Sequence, residues 1–189
     1  DLGTDKVFTY ELNPATGRLS DGKPPYTEVA PGSGPRHLVF SPNGKNLYLI
    51  HEIGGNLTVF KYQPGKLSII QTLSNVPEDF HGRIWAADIH LSPDGRFLYA
   101  SDRDDLNDIV VYAVQSGTGK LTYVDRTPTG EKTPRNFVIT PDGKYLLAGH
   151  QNGNDVIVFR RNARTGKLTL TGQRITVPHA VCLQMIRDN

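Results

Sequence analysis

The sequence predicts an all-β protein of the β-propeller class, and three observations lead to this prediction. A turn motif recurs at nearly constant intervals, an apolar stretch follows each copy, and no segment of the 189 residues shows a sustained helical period. The motif reads SPNGK at 41–45, SPDGR at 92–96 and TPDGK at 140–144, with offsets of 51 and 48 residues. Four short strands in a unit of about 50 residues correspond to one propeller blade. A β-sandwich would not explain such a repeat.

Each repeat unit is expected to hold four antiparallel strands, because short β-branched and aromatic runs alternate with Asn-Gly, Asp-Gly and Thr-Gly-Lys turns. In the turn motif, Gly supplies the positive φ that a tight connection requires. The predicted strands of the three complete units lie near 37–40, 46–51, 57–62 and 67–73, near 87–91, 97–101, 108–114 and 121–126, and near 136–139, 145–149, 155–160 and 168–175.

The predicted strands divide the chain into blades. The expected boundaries are 1–30 for the end of one blade, 31–75, 76–127 and 128–176 for three complete blades, and 177–189 for the first strand of a closing blade. These amount to about 3.75 blades. Since unpaired strand edges invite aggregation, we expect the C-terminal part of a larger ring. A missing N-terminal half or a second chain would then close the ring.

Composition argues against several classes of partner. Lys and Arg total 21 against 19 for Asp and Glu, a net charge of +2 that favours neither nucleic acid nor an anionic membrane. Hydrophobic residues make up 37% of the chain, without an apolar run approaching the roughly 18 residues of a membrane span. No charged leader precedes an apolar segment, so no signal peptide is expected. A single cysteine, Cys182, excludes a disulfide framework.

Candidate functional residues lie where two kinds of connection reach one face of the predicted propeller. These are the connection into the innermost strand and the connection between the second and third strands. The equivalent positions are Arg36-His37, Ala87-Asp88 and Arg135-Asn136 in the first set, and His51-Glu52, Asp102-Arg103 and His150-Gln151 in the second. The predicted rim therefore collects Arg36, His37, Glu52, Arg103, Arg135 and Gln151. Several hydrogen-bond donors and a carboxylate around a channel mouth favour a pocket for a polar ligand.

Structural roles compete with each functional interpretation. Arg36 and Arg135 could cap neighbouring carbonyl groups, His37 could be a satisfied rim histidine, and Glu52 could be only an arginine partner. His90 is expected to be a hydrogen-bonded structural residue, and His51 and His150 are expected to face away from the channel. The histidines lack HxxxH and HExxH spacing, which argues against a zinc site held by the protein.

Longer sequence strings carry a specific resemblance. GPRHLVFSPNGKNLYLIHE at 34–52, VPEDF at 76–80, WAADIHLSPDGRFLYASDR at 85–103 and TPRNFVITPDGKYLLAGHQ at 133–151 resemble the propeller-type 6-phosphogluconolactonase family, especially its bacterial cytosolic members. The family is also similar to carboxymuconate cyclases. The resemblance covers essentially the whole chain and matches the C-terminal half or slightly more of a seven-bladed domain. It implies a cytoplasmic, metal-free lactonase that uses no cofactor.

The resemblance also ranks the candidate residues. Arg36 and Glu52 are the best matches, followed by His37 and Arg103 and then Arg135. Family members carry a further histidine in the N-terminal half, and this sequence has no counterpart of it. His51 stands where members commonly have Asn.

These residue types suit the opening of 6-phosphoglucono-δ-lactone to 6-phosphogluconate in the pentose phosphate pathway. Glu52 or His37 would take a proton from the attacking water, and Arg36 would hold the oxyanion or the substrate carboxyl group. Arg103 and Arg135, together with Gln151, would bind the phosphate and the sugar hydroxyls. Two alternatives remain open: a cyclase that lactonises a carboxymuconate, and a non-catalytic propeller that binds a ligand or a protein.

Overall fold

The computed structural model describes residues 1–186, and every regular element in that range is a β-strand. The strands are β1 (Lys6–Leu12), β2 (Leu19–Glu28), β3 (Pro35–Phe40), β4 (Asn46–His51), β5 (Asn56–Gln63), β6 (Lys66–Ser74), β7 (Ala86–Leu91), β8 (Phe97–Asp102), β9 (Asp108–Val114), β10 (Leu121–Pro128), β11 (Pro134–Ile139), β12 (Tyr145–His150), β13 (Asp155–Arg161) and β14 (Leu168–Thr176). The twelve strands predicted for the complete units are all present, with each end within about two residues of the expected position.

The strands form antiparallel meanders that match the predicted architecture. Strands β3–β6, β7–β10 and β11–β14 make three four-stranded sheets, and β1 pairs with β2 in a two-stranded sheet. The first strand of each four-stranded sheet is the innermost one, because β3 lies against β7 and β7 lies against β11. This arrangement of successive blades around a common axis confirms the prediction of a partial β-propeller.

The repeated turn motif closes each first hairpin through side-chain hydrogen bonds. In the second copy, the backbone N–H of Phe97 donates to Ser92 Oγ at 3.0 Å, and the backbone N–H of Arg96 donates to Asp94 Oδ1 at 3.1 Å. Gly95 has a φ of 67°, a conformation that a residue with a Cβ rarely adopts. The motif therefore specifies a tight turn in the same place in every blade.

The hydrophobic cores lie between neighbouring blades. One cluster joins the β3–β6 and β7–β10 sheets, and a second joins the β7–β10 and β11–β14 sheets. Two buried tyrosines at equivalent repeat positions reinforce these junctions. Tyr48 donates its hydroxyl hydrogen to Gly119 O at 3.0 Å, and Tyr99 donates to Gly166 O at 2.7 Å. The repeat thus carries the contacts between blades as well as those within them.

The last segment differs from its prediction. Residues 177–186 contain no strand, so the described residues hold fourteen strands, about three and a half blades of four. The segment bonds instead to loops and to a side chain: the His179 N–H donates to Gly153 O at 3.1 Å, and the Leu183 N–H donates to Asn136 Oδ1 at 2.6 Å. The physical reason is that a strand ladder needs a pairing strand, and none follows within the described range. The assignment of 177–189 to a closing blade stays a prediction, and 187–189 lie outside the described residues.

A buried charge cluster links the β3–β6 and β7–β10 blades. Asp102 is fully buried and accepts a hydrogen bond from Asn75 Nδ2 at 2.6 Å. Arg126 bonds to Asp108 and lies 3.5 Å from Asp102 Oδ2, so two aspartates share one guanidinium group. Burial and the neighbouring charge of Asp108 raise the pKa of Asp102 to about 7.

Because the pKa of Asp102 is raised in the folded state, the free energy of unfolding is expected to fall as the pH increases from about 4 to about 7. In that range the folded state keeps a proton on Asp102 that the unfolded state releases. We expect the Asp102→Asn variant to show a flatter pH dependence, because the steepest slope that one such proton can cause is about 1.4 kcal/mol per pH unit. Urea unfolding of wild type and variant at a series of pH values measures this difference. Parallel curves for the two proteins would contradict the prediction.

Candidate active site

The three innermost strands share an irregularity at the rim end. The register shifts between Pro35 and His37 in β3, between Ala86 and Ile89 in β7, and between Pro134 and Asn136 in β11. A β-bulge redirects side chains that strict alternation would send to opposite faces. Arg36 and His37 lie at the bulge of β3, and both belong to the wall of the cavity described next.

This cavity, called the axial cavity below, lies where the innermost strands meet and has a volume of about 670 Å³. It is lined by residues 36–39 of β3, residues 88–90 of β7, Asn136 and Val138 of β11, and residues 182–185. Three successive blades and the final segment therefore contribute to one cavity, as expected for a channel mouth.

Arg36, Glu52 and Arg103 form a buried ion-pair cluster beside the axial cavity. Arg36 Nη1 donates to Glu52 Oε2 at 3.0 Å, and Arg103 Nη2 donates to Glu52 Oε1 at 2.6 Å. The side chains of Arg36, Glu52 and Arg103 are 15%, 8% and 6% exposed, so the carboxylate is enclosed by its partners. Arg36 alone of the three reaches the cavity wall. Glu52 therefore helps to fix the orientation of the Arg36 guanidinium group.

Backbone carbonyl groups also hold the side chains of Arg36 and Arg103 in place. Arg36 Nε donates to Ala87 O at 2.9 Å, and Arg103 Nη2 and Nε donate to Ala86 O and Trp85 O, both at 3.3 Å. The Arg103 guanidinium carbon also lies 5.6 Å from the centre of the Trp85 ring. Hydrogen-bond donors fixed in this way need little reorganisation when negative charge develops nearby.

Positive charge is concentrated around Arg36. Burial lowers the pKa of Arg36, the charge of Glu52 raises it, and the charges of Arg103 and Arg135 lower it further. Arginine side chains are not deprotonated in proteins, so Arg36 keeps its positive charge. Arg103 and Arg135 are thus both close enough to influence Arg36, and a single carboxylate, Glu52, bridges Arg36 and Arg103.

Arg135 and Gln151 form a separate pair on the next blade. Arg135 Nη1 donates to Gln151 Oε1 at 3.0 Å, which repeats the spacing of Arg36 and Glu52 with an amide in place of the carboxylate. Neither residue lines the axial cavity. The structure brings them together with each other and places Arg135 within electrostatic range of Arg36. Their role in substrate binding stays a prediction.

His37 contacts Asp88, which holds an equivalent rim position but was not among the candidate residues predicted from the sequence. Its Nδ1 lies 2.8 Å from Asp88 Oδ1, and Nε2 of His90 lies 3.0 Å from Asp88 Oδ2. Asp88 is buried, whereas both imidazole side chains are partly exposed at the cavity. One feature of the sequence could have identified Asp88. It is an aspartate in the otherwise apolar start of the strand AADIHL, at the position equivalent to His37 and Asn136.

His51 and His150 lie away from the axial cavity, as expected. His51 is buried between Ser33 Oγ at 2.9 Å and Thr58 Oγ1 at 2.8 Å, and His150 donates from Nδ1 to Asp155 O at 3.0 Å. Burial lowers the pKa of both imidazoles. Neither lines the axial cavity, whereas His90 both lines it and bonds to Asp88.

No metal-binding arrangement is present in residues 1–186: the described part contains no group of three or more His, Cys, Asp or Glu side chains that could hold an ion. The same range has no helix suited to crossing a membrane.

The comparison with family models matches residues 1–185 to the lactonase family described as a seven-bladed β-propeller. The chain belongs to this lactonase family. Two curated relatives named 6-phosphogluconolactonase agree with the match. The protein of Formosa agariphila is 38% identical over 98% of this chain, and that of Bacillus subtilis is 35% identical over 100%. Each alignment covers 53% of the relative, so the chain spans about half the length of these lactonase-family proteins.

Solved structures agree with the lactonase fold. A Pseudomonas aeruginosa protein described as a periplasmic gluconolactonase is 38% identical, with a TM-score of 0.90 over 95% of this chain and 50% of that protein. A Lactobacillus plantarum protein is 36% identical, with a TM-score of 0.90 over 96% of this chain and 52% of that protein. The arrangement of blades in this chain is therefore that of lactonase-family propellers.

Proposed function

We propose that the protein carrying this chain hydrolyses 6-phosphoglucono-δ-lactone to 6-phosphogluconate without a metal ion or cofactor. The observation that carries this proposal is the buried Arg36–Glu52–Arg103 cluster beside the axial cavity, adjacent to the partly exposed His37. Membership of the lactonase family and the relatives named 6-phosphogluconolactonase support the reaction class and the substrate.

The proposed reaction needs three operations from the site. A water oxygen forms a bond to the lactone carbonyl carbon while a base takes one water proton. The carbonyl oxygen gains negative charge, which the Arg36 guanidinium group stabilises. The bond between the carbonyl carbon and the ring oxygen then breaks, and the ring oxygen receives the proton to become a hydroxyl group. The product is the open-chain acid, and the water has been consumed without any oxidation or reduction.

The geometry favours His37 over Glu52 as the base. Both carboxylate oxygens of Glu52 accept hydrogen bonds from guanidinium groups, and the side chain is 8% exposed. Proton transfer to Glu52 would weaken both ion pairs, which are costly to break in a buried site. His37 is 44% exposed on its side chain and lines the cavity, so water can reach it. Glu52 then acts by orienting Arg36.

Phosphate recognition is assigned to the arginine-rich side of the rim. Arg135 and Gln151 lie on the blade after the one that carries Arg103, and Arg135 adds to the positive potential at Arg36. A planar guanidinium group binds phosphate oxygens in a bidentate manner. Arg103 uses its available contacts to hold Glu52 and backbone carbonyl groups, so we assign it to the support of the site instead of to direct phosphate binding.

We propose further that additional strands complete the ring, from the same polypeptide or from a second chain. Two observations support this: β1 and β2 form only a two-stranded sheet, and Phe8 and Tyr10 of β1 are 43% and 54% exposed. The intact mass of the purified polypeptide distinguishes the two sources.

The cytoplasmic location and the lack of nucleic-acid partners expected from the sequence stay predictions, which cell fractionation and a binding assay would test.

A direct assay tests the proposed function. Freshly prepared 6-phosphoglucono-δ-lactone is followed by acid release in a pH-stat, with and without the purified protein. We expect the protein to increase the rate at least about tenfold above spontaneous hydrolysis, a modest demand for an enzyme. Loss of the lactone at the spontaneous rate would overturn the proposal and favour a binding propeller. Turnover of a carboxymuconate but not of the lactone would favour the cyclase.

A further inference from the structure

Asp88 is the most highly connected polar side chain of the axial cavity. Its carboxylate is buried and accepts five hydrogen bonds that originate from three successive innermost strands. The donors are His37 Nδ1 at 2.8 Å and the Ile89 N–H at 3.0 Å on Oδ1, and His90 Nε2 at 3.0 Å, Asn136 Nδ2 at 2.6 Å and the Phe137 N–H at 3.1 Å on Oδ2. A buried carboxylate with this many donors is rigidly held.

The carboxylate is ionised. Burial by itself would raise the pKa of Asp88, but the hydrogen bonds from His37 and His90 and from the Phe137 N–H outweigh burial and hold the pKa well below its ordinary value. An ionised carboxylate is only a hydrogen-bond acceptor. Each imidazole nitrogen that faces it must therefore carry a hydrogen, which means Nδ1 of His37 and Nε2 of His90.

This requirement selects one tautomer for each neutral histidine. With its hydrogen on Nδ1, neutral His37 has its lone pair on Nε2, and Nε2 is the ring nitrogen left free to accept a proton. His90 is held in the opposite sense, with its hydrogen on Nε2 and its lone pair on Nδ1. Two imidazoles at one cavity are thus given different acceptor atoms by a single side chain.

We propose that Asp88 is a positioning residue that fixes the tautomer and ring orientation of His37, so that Nε2 of His37 is the base toward the axial cavity. The inference rests on the proposed function, in which His37 activates water. It identifies the residue that holds His37 in the tautomer able to accept a proton on Nε2. Asn136 and Phe137 hold Asp88 in turn, so the orientation of a side chain on β3 depends on β7 and β11. A histidine held by a buried carboxylate in this way is a recurring catalytic arrangement.

Substitution of Asp88 by asparagine changes the hydrogen-bonding pattern with little change in shape. The Oδ2 side faces three donors, so the amide oxygen of the variant is expected to take that side. The amide NH₂ group then faces His37 Nδ1 and the Ile89 N–H. The Ile89 N–H can only donate and loses its acceptor, whereas His37 Nδ1 can accept once the ring hydrogen moves to Nε2. His37 would then no longer present a proton acceptor to the cavity.

The test measures the tautomer of His37 by ¹⁵N NMR of histidine-labelled protein, at a pH where the ring is neutral, together with kcat/KM for lactone hydrolysis. We expect the Nδ1–H form in the wild type, the Nε2–H form in Asp88→Asn, and a loss of kcat/KM of about 10²–10⁴-fold in that variant. Asp102→Asn is the matched control, since it removes another buried carboxylate that does not line the cavity, and it should leave the His37 tautomer unchanged.

The two readouts separate the inference from the proposed function. An Nε2–H form of His37 in the wild type would overturn the positioning role of Asp88, and this measurement does not depend on whether any variant folds. An unchanged tautomer in a folded Asp88→Asn variant would overturn it as well. If the tautomer changes as expected but hydrolysis does not, the positioning role is supported and the assignment of His37 as the base fails.

Discussion

The Glu52→Gln variant is expected to lose about 10²–10³-fold in kcat/KM for lactone hydrolysis, the loss found when one oxyanion-stabilising donor is removed. Glutamine keeps the shape of the side chain, but its amide nitrogen would face a guanidinium group, and two donors repel. Either Arg36 or Arg103 then loses its acceptor, and the orientation of Arg36 at the cavity is no longer fixed.

The same variant should also be less stable. Removing one charged partner of a buried ion pair leaves the other charge without compensation. Such changes lower the free energy of unfolding by about 3–5 kcal/mol. Urea unfolding measures this effect beside the kinetics. The matched control is Glu131→Gln, because Glu131 also pairs with an arginine, Arg174, but more weakly at 3.5 Å, with a more exposed carboxylate that does not line the cavity. Wild-type kcat/KM in a folded Glu52→Gln variant would contradict the role given to this cluster.

His37→Gln is expected to lower kcat about 10²–10⁴-fold, the contribution of a well-placed general base. A glutamine in this position can still donate to Asp88, so the hydrogen-bond network around Asp88 keeps a partner, but an amide cannot take a proton from water near neutral pH. KM should change little, because the arginines assigned to the substrate are untouched.

His81→Gln serves as the control for His37→Gln, because His81 is exposed in the connection between β6 and β7 and does not line the axial cavity. Equal effects of the two substitutions would indicate a general loss of structure. A fall in kcat/KM carried by KM alone in the His37 variant would instead assign His37 to substrate binding, and the base would have to be sought elsewhere.

The strands of this protein could be predicted closely because their signals are local. Alternating apolar residues, β-branched composition and the turn chemistry of Ser92, Asp94 and Gly95 act within a few residues of one another. The exception is the strand expected within 177–189, because residues 177–186 contain no strand and the assignment of this segment to a closing blade stays a prediction. An innermost strand also needs a neighbouring strand to pair with, and a local pattern does not show whether one is present.

The candidate site was predicted in part. Equivalent positions in the repeat identified Arg36, Glu52 and Arg103, and the structure joins these three in one cluster. Asp88 was missed because an aspartate in a strand gives no indication of its partners, which come from neighbouring blades. The bulge at Arg36 and His37 was not predicted either, since strict alternation is the default for a strand.

The amino-acid sequence by itself determined the repeat, the antiparallel strands and the set of polar residues at one rim, because strand period and turn geometry depend on near neighbours along the chain. Only the tertiary structure decided which of those residues bond to one another. Glu52 meets Arg103 across 51 residues, and Asp88 meets His37 and Asn136 across 51 and 48. These contacts depend on the rotation and spacing between packed blades, which the burial of side chains from both blades sets and no local pattern encodes.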